Sequence, residues 1–243
     1  MKTLYKPSIL TFLTAATLLA CGPGNDILRN QVSATGARVK ILHAIPDGPA
    51  IDLFVNDAKV NGMAIAYGTN FPANEYAVLT PGSAAIRVST VASGTVAVQP
   101  ILSATAPVEA DKYYTVAAAG TAAAPTAVVF ADDVSLPDAS KAYYRVINLV
   151  SGGPAVDFGP ATGAPLIANV ATGKASDFVA VVPSATLGSA YTFQVRPTSA
   201  TALVGTALAN VTPGIGRKYT ILVRGIAGRT GAQAPTTSLY LTR

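Results

Sequence analysis

From Arg38 to Ile45 the side chains alternate, with Val39, Ile41, His43 and Ile45 on one face and Arg38, Lys40, Leu42 and Ala44 on the other. A period of two predicts a strand. Pro46-Asp47-Gly48-Pro49 follows as a turn, because Pro fixes φ and Gly accepts positive φ. Further strands are predicted over residues 51–55, 75–79, 85–90, 95–102, 113–119 and 126–131, with Pro and Gly between them and no convincing amphipathic helix. Short strands punctuated in this way predict an antiparallel β-sandwich.

The pattern then returns. RVKILHAIPDGPAIDLF, ending at Phe54, reappears as YYRVINLVSGGPAVDF, ending at Phe158, and the step from Asp52 to Asp157 is 105 residues. Asn74-Glu75-Tyr76 lines up with Ser176-Asp177-Phe178, Lys112-Tyr113 with Lys218-Tyr219, and Pro125-Thr126 with Pro235-Thr236. The offset drifts by a few residues between these matches, as expected when insertions fall in loops. A period of this length suits one small domain and is far longer than a solenoid repeat. The second set of strands is predicted over 143–150, 155–158, 177–182, 191–195, 206–211, 219–223 and 237–241, with Gly159-Pro160 interrupting its second strand. The expected fold class is therefore all-β: two tandem immunoglobulin-like antiparallel β-sandwich domains over 37–136 and 137–243. They meet in the polar stretch DDVSLPDASK, 132–141.

Ahead of the domains, Lys2 and Lys6 precede an uncharged run over 7–20 and then Cys21, which predicts a secretory signal peptide over 1–20. A run this short does not cross a bilayer, which takes about 20 apolar residues. Leu18-Leu19-Ala20-Cys21 resembles the lipobox of bacterial lipoproteins. That resemblance implies a diacylglycerol on the Cys21 thiol, cleavage before it, and a membrane-anchored protein of the cell envelope. Cys21 is the only cysteine in the chain, so no internal disulfide competes for it. Gly22 stands where an Asp would resemble the inner-membrane retention signal, which favours an outer-membrane destination. Residues 21–36 then form the lipidated cysteine and a polar, glycine-containing tether, spanning roughly 20 Å if flexible.

Half the residues are apolar, 12% are charged, and Trp is absent, so the chain is not disordered and offers few acids, bases or nucleophiles. The formal charge of +5 falls to +3 once Lys2 and Lys6 leave with the leader. The remaining cations are scattered singly, without basic runs, which argues for a solvated surface and against nucleic acid.

His43 is the only histidine, which excludes a histidine-pair metal site within one chain. Its place on the apolar face beside a turn points to a structural imidazole bonded to loop backbone. Asn148 stands at the equivalent position and could make the same hydrogen bonds without acting as a base. Asp52 and Asp157 head equivalent strands, where a carboxylate commonly accepts backbone N–H groups. A calcium site drawing on Asp47, Asp52, Asp132, Asp133 or Asp138 is the sharper alternative, although the second repeat has Gly152 in place of Asp47. Tyr113, Tyr114, Tyr143, Tyr144 and Tyr219 could stack against glycans, but strand tyrosines are more often core or rim residues. His43, Asp47, Asp52, Asn148 and Asp157 are thus expected as structural turn and strand-head residues. No catalytic group, cofactor or metal is expected.

His43-Ala44-Ile45-Pro46-Asp47-Gly48-Pro49-Ala50-Ile51-Asp52-Leu53-Phe54-Val55, the stretch from Asp111 to Val116, and Asp132-Asp133 together resemble the bacterial domain-of-unknown-function family numbered 4397. The resemblance runs from Ala37 onward and weakens in the second repeat, where Asn148 replaces the histidine and Ser151-Gly152 replaces Pro-Asp. It implies a secreted or anchored protein with tandem immunoglobulin-like sandwiches, and it carries no established activity. The expected function is a non-enzymatic, lipid-anchored envelope module that binds an envelope partner or serves a structural role. A surface glycan-binding or adhesion module and an enzyme centred on His43 are the alternatives.

Overall fold

The structure is a computed structural model and describes residues 35–92, 99–135, 138–181, 190–198 and 200–242. The leader, Cys21 and the tether expected over 21–36 lie outside the described residues, apart from the last two positions of the tether.

In the first half the strands are β1 (Ala37–His43), β2 (Ile51–Val55), β3 (Ala58–Lys59), β4 (Asn70–Phe71), β5 (Ala77–Leu79), β6 (Gly82–Thr90), β7 (Pro100–Val108), β8 (Tyr113–Thr121) and β9 (Ala124–Ala131). In the second half they are β10 (Ala142–Ser151), β11 (Val156–Pro160), β12 (Ile167–Val170), β13 (Lys174–Ala175), β14 (Val179–Val181), β15 (Tyr191–Pro197), β16 (Leu208–Val211), β17 (Lys218–Ile226) and β18 (Thr236–Leu241). One short 3-10 turn, Gly231–Gln233, completes the regular structure.

Each half is a two-layer sandwich, as the alternation predicts. A five-stranded sheet, β4-β1-β8-β9 with β5 also on β1, faces a four-stranded sheet, β3-β2-β6-β7. The second half repeats that order as β13-β10-β17-β18 with β14 on β10, against β12-β11-β15-β16. Two pairings depart from the antiparallel expectation: β1 with β8 and β10 with β17 run parallel. Parallel neighbours need a long crossover. Here the chain visits the opposite sheet before it returns beside its first strand.

Two strands sit differently from their sequence expectation. The strand predicted over 95–102 is observed at Pro100–Val108, and residues 93–98 lie outside the described set. Among the described residues β7 pairs only with β6, so it is an edge strand, where Pro100 and Pro107 cost no ladder bond on the open side. Gly159-Pro160 does not interrupt β11, which stays paired with β15 as far as Pro160 and Phe193. Gly159 is required there because a Cβ would lie 2.9 Å from Pro165 Cα.

Three apolar layers hold the molecule together. Val39, Ile41, Ile51, Leu53, Ile86 and Val116 fill the first sandwich. Tyr144, Val146, Phe158, Phe193, Ile221 and Val223 fill the second. The third layer lies between the two five-stranded sheets, where Leu42, Ala44, Ala117, Ala119 and Phe130 meet Ile147, Leu149 and Leu222. Full burial of each large aliphatic side chain there contributes about 1.5–3 kcal/mol, so the halves form one packed body. β10 is buried on both faces and β1 nearly so, because each faces its own sandwich on one side and the other half on the other.

The seam also holds charge. Lys40, Arg145 and Lys218 are 0%, 2% and 1% exposed. This corrects the expectation that the scattered cations lie on a solvated surface, at least for these three.

Candidate functional site

The turn after β1 is built around His43, which is fully buried. Its Nδ1 accepts the Ile45 N–H at 3.4 Å and its Nε2 lies 2.9 Å from the Pro49 carbonyl. Those partners assign the ring proton to Nε2. Burial pushes the imidazole below its usual range, with the Pro49 bond working the other way. The ring is therefore neutral, and both of its nitrogens are committed to backbone.

Asn148 does the same work in the second half. Its Oδ1 accepts the Val150 N–H at 3.2 Å, and its Nδ2 donates to Pro154 O at 3.1 Å and Val170 O at 2.9 Å. The partners two and six residues onward match those of His43. His43→Asn is accordingly expected to keep most of the stability in urea unfolding. His43→Ala is expected to lose about 2 kcal/mol, because it leaves a buried N–H and C=O unpaired. Equal losses in the two variants would contradict this role.

Asp47 accepts the Ala122 N–H at 2.8 Å and so ties the turn to the tip of the β8–β9 hairpin. Beneath it, Ile45, Gly48, Pro49, Ile51, Thr90 and Ile101 border a small apolar cavity of about 160 Å³. On the far side of the imidazole, Tyr67 meets His43 edge-on with centroids 6.2 Å apart, and the Arg224 guanidinium covers Tyr67 at 5.1 Å. Gly68 has φ +82°, and a Cβ at that position would collide with the same guanidinium. Arg224 belongs to β17, so this contact joins the halves at the end where His43 lies.

The two strand-head aspartates differ. Asp52 is buried and accepts from Lys59 Nζ at 2.7 Å and Asn61 Nδ2 at 3.0 Å, both side chains. Asp157 accepts the Asn169 N–H and the Thr198 hydroxyl, each at 2.7 Å. The backbone partner expected for both is thus found at Asp157, whereas Asp52 uses side-chain donors.

Each of the five aspartates considered for calcium has partners of its own. Asp47 and Asp52 have the partners just described, and Asp132 pairs with Arg145. Asp133 faces Lys218, and Asp138 faces Ser140 and Lys141. The Ser140 hydrogen bonds, followed by Lys141, hold the Asp138 carboxyl at about 2. Among the described residues, no group of three His, Cys, Asp or Glu side chains stands close enough to hold a metal ion.

Nor do the five tyrosines make one stacking surface. Tyr144 and Tyr219 stack at 5.1 Å in the second core, and Tyr143 is also buried. Tyr114 and Tyr219 each accept a backbone N–H from five residues upstream, Glu109 at 3.2 Å and Gly214 at 3.1 Å. This resembles a tyrosine corner, which clamps a chain reversal. Tyr113 lies edge-on to Tyr76.

The densest polar constellation is one the sequence reading missed. Arg145 Nη1 sits 2.7 Å from Asp132 Oδ1 across the seam, and both side chains are buried. Arg145 also donates from Nε to the Thr220 hydroxyl at 2.9 Å and from Nη2 to that of Thr115 at 3.3 Å. The other Asp132 oxygen accepts the hydroxyls of Thr115 at 2.6 Å and Tyr76 at 2.7 Å. Burial is the largest single effect on Arg145 and opposes its charge, but Asp132, Tyr240 and Tyr76 together outweigh it and the guanidinium stays protonated. Lys40 has no such partner. Among the described residues its Nζ reaches only the Leu241 carbonyl at 3.5 Å and the rings of Tyr76 and Tyr240 at 4.9 and 5.6 Å. Burial, the largest effect, drags it down to about 8. A signal was present in the sequence: a near-continuous apolar run with one cation marks a strand buried on both faces.

Two β-sandwiches packed sheet to sheet over an apolar seam that carries a buried ion pair define the class of protein. The chain belongs to the family described as "Domain of unknown function (DUF4397)", which it matches over residues 37–159. That span takes in the whole first sandwich and both copies of the repeated motif. No curated protein matches the chain.

Proposed function

We propose that the protein is a non-enzymatic, lipid-anchored module of the cell envelope, whose paired sandwiches present a rigid binding or structural body near the outer membrane. The observation that carries the non-enzymatic part is the state of His43. The one histidine of the chain is neutral, buried and bonded through both nitrogens, which leaves it no lone pair with which to take a proton from a substrate. The anchor rests on Leu18-Leu19-Ala20-Cys21 behind a charged and then apolar leader. Two or three acyl chains, at about 0.8 kcal/mol per buried methylene, suffice for stable attachment.

The wild-type protein is expected to incorporate labelled palmitate and to partition into detergent, and Cys21→Ala to abolish both. A soluble, unlabelled wild-type protein sinks the anchor. Crosslinking in intact cells then identifies the envelope partner. Measurable turnover that disappears in a folded His43→Ala variant would replace this reading with the enzymatic one.

A further inference from the structure

We infer that the seam is the pairing of one surface with its own repeat, so that the chain is a covalent pseudo-dimer in which one of two equivalent ionic locks is closed and the other lacks its carboxylate. The equivalence is positional. Lys40 and Arg145 occupy the same place in β1 and β10, and each is in register with a threonine, Thr115 or Thr220. Asp132 follows β9 and donates its N–H to Tyr113 O, while Thr242 follows β18 and donates its N–H to Lys218 O. Tyr113 and Lys218 are the first residues of β8 and β17 and pair with the equivalent residues Arg38 and Tyr143, so Asp132 and Thr242 hold corresponding positions. Lys112-Tyr113, matched in sequence with Lys218-Tyr219, stands one residue out of step with it in the fold. The side chains agree: Thr115 bonds Asp132 at 2.6 Å, and Thr220 bonds Thr242 at 2.7 Å. Phe130 and Tyr240 correspond in the same way, being the register partners of Thr115 and Thr220.

Across the seam, Arg145 of the second half reaches Asp132 of the first. The mirrored contact would run from Lys40 to Thr242. Lys40 Nζ does arrive beside Thr242, at the carbonyl of its neighbour Leu241, and finds a hydroxyl residue in place of an acid. The groups facing Lys40 are Asp132, Arg145, Tyr76 and Tyr240. No carboxylate among the described residues pairs with it.

A surface that meets its own equivalent about a two-fold axis is isologous, and the partner it fits is another copy of itself. Here the chain supplies that copy. The β1–β8–β9 face is therefore occupied within the molecule, and an outside partner must use the outer four-stranded sheets or the loop ends. The inference does not depend on the anchor.

Supplying the missing acid tests it in the full chain. In the parent, the urea midpoint should rise from pH 8 to about 9.5, because Lys40 gives up its proton more readily folded than unfolded; above that range the buried Tyr67, Tyr76, Tyr144 and Tyr240, whose hydroxyls burial pushes up, draw stability down. With Thr242→Asp that rise should vanish, and the unfolding constant at pH 7 should fall at least about tenfold below that of the neutral control Thr242→Asn. An undiminished rise, with no gain over Thr242→Asn, overturns the inference. Should Thr242→Asp fail to fold, the combination Lys40→Arg, Arg145→Lys, Asp132→Thr and Thr242→Asp moves the closed lock to its mirror position. Recovery of the stability lost by Asp132→Thr alone is expected, and no recovery overturns the equivalence.

Discussion

Asp132→Ala is expected to cost about 3–5 kcal/mol, the range for removing one partner of a buried ion pair. Domains of ordinary stability hold only about 5–15 kcal/mol, so this one change consumes much of the total. The cause is the orphan it leaves. Arg145 remains 2% exposed with no carboxylate, and the hydroxyls of Thr115 and Tyr76 lose their acceptor. Urea unfolding followed by circular dichroism measures the loss, the chain having no Trp to report by fluorescence. Asp132→Leu combined with Arg145→Met should cost less than Asp132→Ala alone, because it removes both buried charges together. A double variant that is no more stable than the single one would show that the seam is held by shape rather than by this pair.

Lys40→Met should do the opposite and stabilise the protein at neutral pH. The folded-state value near 8 lies below the ordinary 10.5. Below pH 8 the ammonium is charged in both states, and folding bears the whole penalty of burying it. Between 8 and 10.5 the folded chain has released the proton while the unfolded chain still binds it, so stability climbs with pH. The gap between the two values corresponds to about 3 kcal/mol, an upper bound on the gain near pH 7. Met keeps the apolar stem and removes the charge. The expected result is a higher urea midpoint at pH 7 and no rise between pH 8 and about 9.5, above which the buried tyrosines lower the stability of both proteins. A Lys40→Met variant that is less stable than the parent at pH 7 would mean that the contacts of Nζ with Leu241, Tyr76 and Tyr240 outweigh its desolvation.

The residues around His43 show how much of the turn was legible. One histidine on an apolar face next to Pro-Asp-Gly-Pro, with asparagine at the same place in the repeat, already implied a hydrogen-bonding role that an amide can fill. The geometry adds the particular partners, Ile45 N–H and Pro49 O, which strand alternation cannot specify because they lie around a turn. Asp52 was less legible. Its partners Lys59 and Asn61 come from an edge segment too short and irregular to carry a period, so a backbone role was expected where side chains serve.

Local pattern determined most of the longer strands and the repetition of their order, because alternation and turn chemistry act over a few residues at a time; the short β3, β4, β12 and β13 carry too few residues to show a period, and β7 lies further along than expected. The pairing of β1 with β8 and the choice of the Lys40, Leu42 and Ala44 face as an interface lay beyond it. Both depend on segments far apart in the chain, and a one-strand pattern records only that a face is apolar, never what covers it. Only the packed halves show why a lone arginine in YYRVINLV is tolerated: its carboxylate sits in the other sandwich, at the end of a strand that finishes eleven residues before β10 begins.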